Sequence, residues 1–186
     1  MKYLIASDIH GSEHCTQLLL DRFQEANADM LVLLGDLLYH GPRNFLPEGY
    51  DPKVVAALLN EHKDHIIAVR GNCDAEVDQM MLDFPCMADY TYLWLSGVPV
   101  FITHGHLYNN RSLPPLATPQ SILLHGHTHI PANETHSTHR YMNPGSTTMP
   151  KEGSAQSYML IDDNTVTWRH LEDGSVYMED VLNKEA

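Results

Sequence analysis

The sequence predicts an α/β fold, a four-layer α/β/β/α sandwich in which two central β-sheets are flanked by helices. One observation is that the first half of the chain alternates short apolar strands with helical segments, which is typical of a covered parallel sheet. The other is that later strands are joined by short turn sequences, which is typical of β-hairpins. A chain of 186 residues is long enough for one domain with a sizeable core, and we predict a single domain over residues 1–186.

The first half contains three predicted strands with helices between them. The strands are continuous apolar runs at Tyr3–Ala6, Met30–Leu34 and Ile66–Val69. Ser12 is a suitable N-cap for a helix that reaches about Ala28, and Asp51 with Pro52 opens a second helix that reaches about His62. Each strand ends at polar residues, and the carboxyl ends of parallel strands are where open α/β sheets bind ligands.

The second half contains further predicted strands, most of them in hairpins. The strands are Tyr92–Leu95, Val98–Thr103, Ile122–Leu124, Tyr141–Asn143, Ser157–Ile161 and Thr165–Trp168. Gly97 marks the turn of one hairpin, and the polar stretch 162–164 marks the turn of another. Several of these strands also end at histidines.

The composition excludes some functions. A formal net charge of −13 argues against a surface built for phosphate backbones, so we expect no stable binding of nucleic acid. No apolar run reaches 18 residues, so we expect no membrane association. Three cysteines are an odd number, and the apolar start of the chain is too short for a secretory leader, so we predict a reduced, cytoplasmic protein. Thirteen histidines indicate either a histidine-rich surface or a metal centre.

Seven side chains at or just beyond the strand ends are candidate metal ligands: Asp8, His10, Asp36, Asn72, His104, His127 and His129. His127 and His129 are two residues apart and share one side of an extended backbone, as do Asp8 and His10. Carboxylate, amide and imidazole groups without thiolate suit manganese, iron, zinc or a similar divalent ion. Seven ligands are too many for one tetrahedral ion and suit two octahedral ions about 3.5–4 Å apart that share a carboxylate.

Each of these residues also has an ordinary structural interpretation. Asp8 alone would be a carboxylate that flanks a helix, and Asp36 or Asn72 alone would be a turn residue. The combination of matching ligands from five segments favours the metal centre.

The ordered motifs resemble those of the calcineurin-like metallophosphoesterase superfamily. They are Asp8-x-His10, Gly35-Asp36, Gly71-Asn72-Cys73-Asp74, His104-Gly105 and Gly126-His127-x-His129. Motif spacing and chain length are similar to those of the small bacterial phosphodiesterases of this superfamily over essentially the whole chain. The resemblance implies a metallophosphoesterase-like fold and a metal-dependent phosphodiesterase that acts on a small-molecule phosphodiester.

The resemblance also implies how the ligands divide. One ion would take Asp8, His10, Asp36 and His129, and the other would take Asp36, Asn72, His104 and His127. Asp36 and a hydroxide would bridge the ions, and the hydroxide would attack phosphorus in line with the leaving oxygen. By the same resemblance we expect manganese, with zinc, iron, cobalt or nickel left open, and a homodimer or homotetramer.

The residue after Asn72 departs from the superfamily pattern, which has a histidine that can protonate the leaving group. This chain has Cys73, whose neutral thiol is a poor acid at neutral pH. Loss of a general acid typically costs about 10²–10⁴-fold in rate, so we expect activity to be best on activated diesters. The catalytic candidates are Asn72, Cys73, Asp74, which would orient the site, and Arg70, which would pair with a phosphate or hold an internal carboxylate.

Two other functions remain open. The retromer subunit of this superfamily serves as a binding surface, so the chain could be a catalytically weak interaction scaffold. A phosphomonoesterase is the other alternative. The intact set of ligands favours catalysis, and Cys73 favours the scaffold. The loops 39–50 and 107–119 are expected to form the rim of the substrate pocket.

Overall fold

Short strands build two β-sheets that stack face to face in the computed structural model, which describes residues 1–184. The helices are α1 (Glu13–Glu25), α2 (Pro52–Asn60) and α3 (Glu76–Gln79), with a 3₁₀ turn at Lys63–His65. The strands are β1 (Lys2–Ala6), β2 (Met30–Leu33), β3 (Ile66–Ala68), β4 (Tyr90–Leu95), β5 (Val98–Thr103), β6 (Ile122–Leu124), β7 (Ala132–Thr135), β8 (Arg140–Asn143), β9 (Ser157–Asp162), β10 (Thr165–His170) and β11 (Val176–Val181).

Each sheet combines parallel strands with antiparallel ones. The first sheet has the order β11-β10-β9-β1-β2-β3, in which β1, β2 and β3 are parallel and the other strands pair antiparallel. The second sheet has the order β4-β5-β6-β8-β7, in which β5, β6 and β8 are parallel. The strands β4 and β7 close its two edges in antiparallel pairs. The parallel strands supply the ends at which the candidate ligands stand.

The continuous apolar strands of the first sheet are buried on both faces. Leu4 and Leu31 point to one face and pack with helix residues such as Leu19 of α1. Ile5 and Val32 alternate with them and point to the second sheet. Because both faces of these strands are covered, they read as unbroken apolar runs.

The first turns of α1 and α2 are capped by the predicted residues. The Ser12 hydroxyl accepts a hydrogen bond from the amide of Cys15 at 3.3 Å, and Asp51 caps α2 in the same way. Helix α1 ends at Glu25, before the predicted Ala28, because Asn27 takes a left-handed conformation at φ 48°. Helix α2 likewise ends at Asn60, two residues before the predicted His62.

The predicted α/β sandwich of two sheets flanked by helices is confirmed. All three described helices precede β4, and the irregular segment 104–121 contacts the outer face of the second sheet, where Tyr108 packs against Phe101. Sequence reasoning missed α3, β7 and β11. Helix α3 is a single turn, and the two strands are sheet edges that lack an apolar run.

Among the described residues, no helix is both long enough and apolar enough to cross a bilayer.

The chain has two tryptophans in opposite environments, which gives a matched test of the core. Trp168 on β10 is fully buried between the sheets, and its Nε1 donates to the Asn143 carbonyl at 2.7 Å. We predict that Trp168→Ala lowers the free energy of unfolding by about 3–5 kcal/mol, because it leaves a cavity and an unpaired carbonyl. Trp94, which is 65% exposed, is the control. Urea denaturation followed by circular dichroism should show a change of about 0.5 kcal/mol or less for Trp94→Ala. Equal effects would contradict this core.

Candidate metal centre

The candidate ligands stand where the parallel strands of both sheets end. Asp8 follows β1 and Asp36 follows β2, whereas His104 and His127 follow strands β5 and β6 of the second sheet. Hydrogen bonds join the two sets of loops. The amide of His127 donates to Asp8 Oδ2 at 3.0 Å, and His104 Nδ1 donates to the Leu34 carbonyl at 2.7 Å. The edges of the two sheets therefore meet in one cleft of about 750 Å³.

A first ligand group consists of Asp8, His10, Asp36 and His129. His10 Nε2 lies 3.7 Å from Asp8 Oδ1 and 3.7 Å from Asp36 Oδ2. His129 Nε2 lies 3.4 Å from His10 Nε2 and 3.3 Å from Asp8 Oδ1. All four side chains are buried, and ligand atoms of Asp8, His10 and His129 lie within 4.8 Å of one another.

A second ligand group consists of Asp36, Asn72, His104 and His127. His104 Nε2 lies 3.5 Å from Asp36 Oδ2, 3.2 Å from Asn72 Oδ1 and 3.2 Å from His127 Nδ1. Asp36 Oδ2 thus lies between the two groups. The structure brings all seven predicted ligands together in one cluster around Asp36.

Backbone carbonyls fix the orientation of three imidazoles. The Nδ1 atoms of His10, His104 and His129 lie within hydrogen-bond distance of the carbonyls of Tyr39 (2.9 Å), Leu34 (2.7 Å) and Met149 (2.6 Å). A carbonyl only accepts, so each Nδ1 carries the proton, and in the neutral ring each Nε2 presents a lone pair to the cleft. Such an outer hydrogen bond is the usual support for a histidine that binds a metal.

The backbone at these residues is strained. Asp8, His10, Asp36, His127 and His129 all have positive φ angles, between 51° and 65°. A residue other than glycine pays on the order of 1 kcal/mol or more for this left-handed conformation, and such residues concentrate at functional sites. The left-handed residues direct the alternate side chains of Asp8 and His10, and of His127 and His129, toward the metal site just after the strands end.

Two glycines allow the loops to approach closely. A Cβ on Gly71 would collide with the Asp36 carboxylate, and a Cβ on Gly126 would collide with the Ser7 hydroxyl. Glycine is therefore required at both positions, because each lies against a loop from earlier in the chain.

Asp74 holds the loops that carry Asp36 and Asn72. Its carboxylate accepts hydrogen bonds from the amides of Asp36 and Leu37, both at 2.8 Å, and from the amide of Gly71 at 2.7 Å. Burial and the nearby Asp36 raise the pKa of Asp74 to about 6, although the three amides oppose that shift. The predicted orienting role of Asp74 has a direct geometric basis in these contacts.

Cys73 lies at the wall of the cleft. Its amide donates to Asp36 Oδ1 at 2.7 Å, and its sulfur lies within 4.8 Å of ligand atoms of His10 and Asp36. Burial and the neighbouring Asp36 raise the pKa of the thiol to about 12, so it is protonated at neutral pH. Cys73 is therefore a small neutral group in this position.

Arg70 does not lie where a phosphate contact requires it. Its guanidinium donates to Asp89 Oδ1 at 2.7 Å, and it is not among the residues that line the cleft. The expected pairing of Arg70 with a phosphate is therefore wrong, and the other alternative, an ion pair with a carboxylate of the protein, is what the structure shows. The cations that do line the cleft are Arg43 and Lys151.

The electrostatics of the first ligand group favour positive charge. Burial would raise the pKa of Asp8, but the adjacent His129 and other histidines hold it well below its usual range. Burial would lower the pKa of His129, but the adjacent Asp8 raises it. Burial lowers the pKa of His10, and burial with the nearby His104 lowers that of His127 to about 4. Neutral imidazoles of His10 and His127 beside the ionised carboxylate of Asp8 are in the state that binds a metal.

The donor set fits divalent cations. The buried Oδ1 of Asp8 accepts no hydrogen bond. The Nε2 atoms of His10 and His129 lie 3.4 Å apart, and neither carries a proton when Nδ1 is the protonated nitrogen of each neutral ring. A cation at this point would satisfy these atoms together.

The turn after β8, which contains Asn143, Gly145 and Ser146, contacts two of the ligand loops. In the structure, Asn143 Nδ2 donates to the Gly126 carbonyl at 2.9 Å, and the Ser146 hydroxyl donates to the Asp8 carbonyl at 2.9 Å. The turn therefore supports the loops of both Asp8 and His127. A polar Asn-Pro-Gly-Ser run after a buried strand was the available signal.

Comparisons with known proteins agree with this geometry. Residues 1–165 match the calcineurin-like phosphoesterase superfamily domain. The chain is 45% identical to phosphodiesterase YfcE of Escherichia coli K12 over 183 residues, which are 98% of this chain and 99% of YfcE. A solved structure of YfcE, described as a phosphoesterase, has a TM-score of 0.94 and covers 98% of this chain and 100% of that one. Vps29 of Entamoeba histolytica, solved with zinc, has a TM-score of 0.57 at 20% identity, covers 98% of this chain and 100% of that one, and shows likeness of fold alone.

The role of Asp74 can be tested apart from catalysis. We predict that Asp74→Asn weakens Mn²⁺ binding by about 10–100-fold, because an amide nitrogen cannot accept the backbone hydrogen bonds that hold the Asp36 loop. Titration calorimetry on the metal-free protein measures this affinity. Asp83→Asn is the matched control. Asp83 is exposed, and within residues 1–184 its side chain forms an ion pair with Lys63 alone. Equal affinities in the two variants would contradict the role of Asp74.

Proposed function

Because the chain belongs to the calcineurin-like phosphoesterase superfamily, we propose that it is a binuclear metal-dependent phosphodiesterase that acts on a small or exposed phosphodiester. The match over residues 1–165 confirms the resemblance to the superfamily. The observation that carries the binuclear proposal is the position of Asp36 Oδ2. It lies 3.7 Å from His10 Nε2 on one side and 3.5 Å from His104 Nε2 on the other.

The residues fit divalent metal ions, and we propose that each ligand group holds one. Asp36 would be shared. When bound, two such ions lower the pKa of a water molecule and neutralise charge on a phosphoryl group. We propose manganese as the native metal, from the resemblance to small bacterial phosphodiesterases.

The side chains around the ions have separate roles in this proposal. Asn72 contributes a neutral amide, which adds no charge that would repel an anionic diester. Asp74 keeps the Asp36 and Asn72 loops in register through its three backbone hydrogen bonds. Arg43 and Lys151 line the cleft and add positive charge on its solvent side. Cys73 stands where the superfamily pattern has a histidine, and its protonated thiol supplies no effective acid to the leaving oxygen.

The name of a close relative supports diester chemistry over the alternatives. YfcE is called a phosphodiesterase and shares 45% of its residues with this chain over nearly its full length. An interaction scaffold has no need of seven converging ligands with oriented imidazoles. Phosphomonoesterase activity is favoured by no feature of the cleft.

We also propose a homodimer or homotetramer and a cytoplasmic location. The first rests on the resemblance alone. The second is supported by the cysteines, which are all free thiols.

The proposal predicts that hydrolysis depends on metal and on Asp36. The purified protein, stripped with a chelator, should hydrolyse bis(p-nitrophenyl) phosphate only after Mn²⁺ is added. Asp36→Asn should lower kcat by at least about 10²-fold, because one oxygen ligand is lost from both ligand groups at once. Release of p-nitrophenolate measures the rate, and Asp83→Asn is the control. Absence of hydrolysis with Mn²⁺, Zn²⁺, Fe²⁺, Co²⁺ and Ni²⁺ alike would favour the scaffold.

The position of Cys73 predicts a limit on the leaving group. Cys73→His should raise kcat on a diester with an alkyl leaving group by about tenfold or more, because an imidazole can donate the proton that the alkoxide needs. Turnover of bis(p-nitrophenyl) phosphate should change far less, since p-nitrophenolate leaves without a proton. Cys73→Ala removes the thiol without adding an acid and is the control. Unchanged kinetics in Cys73→His on both substrates would remove this position from the mechanism.

A further inference from the structure

A second concavity, which we call the apolar groove, opens beside the metal cleft. It has a volume of about 410 Å³, and Tyr39, Tyr50, Val77 and Met81 contribute to its lining. Cys73 and Ala75 lie between the groove and the metal cleft and line both, as does Tyr39. The two concavities are therefore adjacent and share these three residues.

One wall of the groove is aromatic and is fixed to the metal centre. The ring of His40 lies between those of Tyr39 and Tyr50, with centroid distances of 4.7 Å and 5.2 Å. The carbonyl of Tyr39 holds His10 Nδ1 at 2.9 Å. The ring of Tyr50 lies so close to Gly11 that an added Cβ would meet it at 2.6 Å. This wall thus contacts the His10 side chain through Tyr39 and the Gly11 backbone through Tyr50.

The opposite wall is aliphatic and exposed. Val77 and Met81, in and just after helix α3, are 61% and 44% exposed. Apolar side chains grouped at the mouth of a polar site typically mark a place where a ligand binds. The only charged side chains among the lining residues are Lys53 and Asp78, and Asp78 Oδ2 already accepts the amide of Ala75 at 2.8 Å.

We propose that the apolar groove binds an aromatic ester arm of the substrate while the phosphoryl group lies in the metal cleft. This proposal rests on the proposed function and names its substrate class, a phosphodiester with at least one planar aromatic group. The polar cleft can recognise only the phosphoryl group, which every phosphodiester has. The shared wall at Cys73 places the groove directly beside the cleft, and Tyr39 and Tyr50 give the groove an aromatic lining against which a planar group can pack.

The small thiol of Cys73 is part of this geometry. Its sulfur lies at the junction of the two concavities, 3.2 Å from the Cβ that a side chain at Gly41 would add. A larger side chain at position 73 would fill space at this boundary. The small residue that departs from the superfamily pattern therefore leaves room for an ester arm beside the phosphoryl group.

Direct binding of two phosphonates tests the proposal without relying on catalysis. Methylphosphonate and phenylphosphonate present similar phosphoryl groups and differ in the group attached to phosphorus. Titration calorimetry on the Mn²⁺-loaded protein should give a Kd for phenylphosphonate about tenfold lower, as expected for burial of part of a phenyl ring. In the double variant Val77→Ser with Met81→Ser, this ratio should fall to about twofold. Affinity for methylphosphonate should stay within about twofold.

Helix α3 provides the matched control. Met80 is 84% exposed and does not line the groove, so Met80→Ser should keep the tenfold ratio. The same ratio in the wild type, the double variant and the control would overturn the proposal, as would failure of both phosphonates to bind. A change in oligomeric state of the double variant by sedimentation velocity would assign the groove to a second copy of the chain and would also overturn it.

The two proposals fail in different ways. Hydrolysis of bis(p-nitrophenyl) phosphate without any preference for phenylphosphonate would retain the phosphodiesterase and reject the groove. A preference that depends on Val77 and Met81, in a protein without hydrolysis, would retain the groove as a ligand site and reject the enzyme.

Discussion

Two buried carboxylates, Asp8 and Asp36, set the main constraint on this structure. They are 0% and 2% exposed where the edges of the two sheets meet, and isolated charges are costly to bury. Around them, three histidines direct Nε2 atoms inward because backbone carbonyls hold their Nδ1 protons. The arrangement is stable as a unit only if positive charge is shared among these groups. Metal ions bound in this cleft would supply that positive charge.

The fold supports this centre at a local energetic cost. Five of the nine non-glycine residues with positive φ among residues 1–184 are candidate ligands. Each must be held in a left-handed conformation by its surroundings, and the structure shows what holds them. Asp74 binds the Asp36 loop through backbone amides, and Ser146 binds the Asp8 loop. Hydrogen bonds from residues that surround the candidate ligands thus compensate for the backbone strain.

The cleft and the apolar groove divide recognition into two physical problems. Charged and imidazole groups recognise the phosphoryl group, whereas Tyr39, Tyr50, Val77 and Met81 present an apolar surface next to it. Cys73 belongs to both regions. In the proposed enzyme, a small neutral side chain there would supply no acid to the leaving group and would leave room beside the phosphoryl group, so this one residue links both proposals.

The sequence by itself determined the elements whose signal is local. Unbroken apolar runs gave β1 and β2, and the capping residues Ser12 and Asp51 gave the helix starts. The seven candidate ligands were identifiable because each follows the end of an apolar strand, although the left-handed backbone at five of them was not predictable from the sequence. The edge strands β7 and β11 were not identifiable, because pairing with a neighbour, not their own apolar pattern, makes them strands.

Only the tertiary structure decided what depends on contacts between distant segments. It showed that Arg70 pairs with Asp89 instead of facing the cleft, since two equally suitable partners for a guanidinium cannot be distinguished by sequence. It placed Asp36 between the two ligand groups and Asp74 on the amides of two separate loops. It also brought Val77 and Met81 into one groove with Tyr39, because the connections that follow β2 and β3 lie side by side. Local sequence motifs therefore identified the candidate metal ligands, and contacts between distant segments determined which residues surround them.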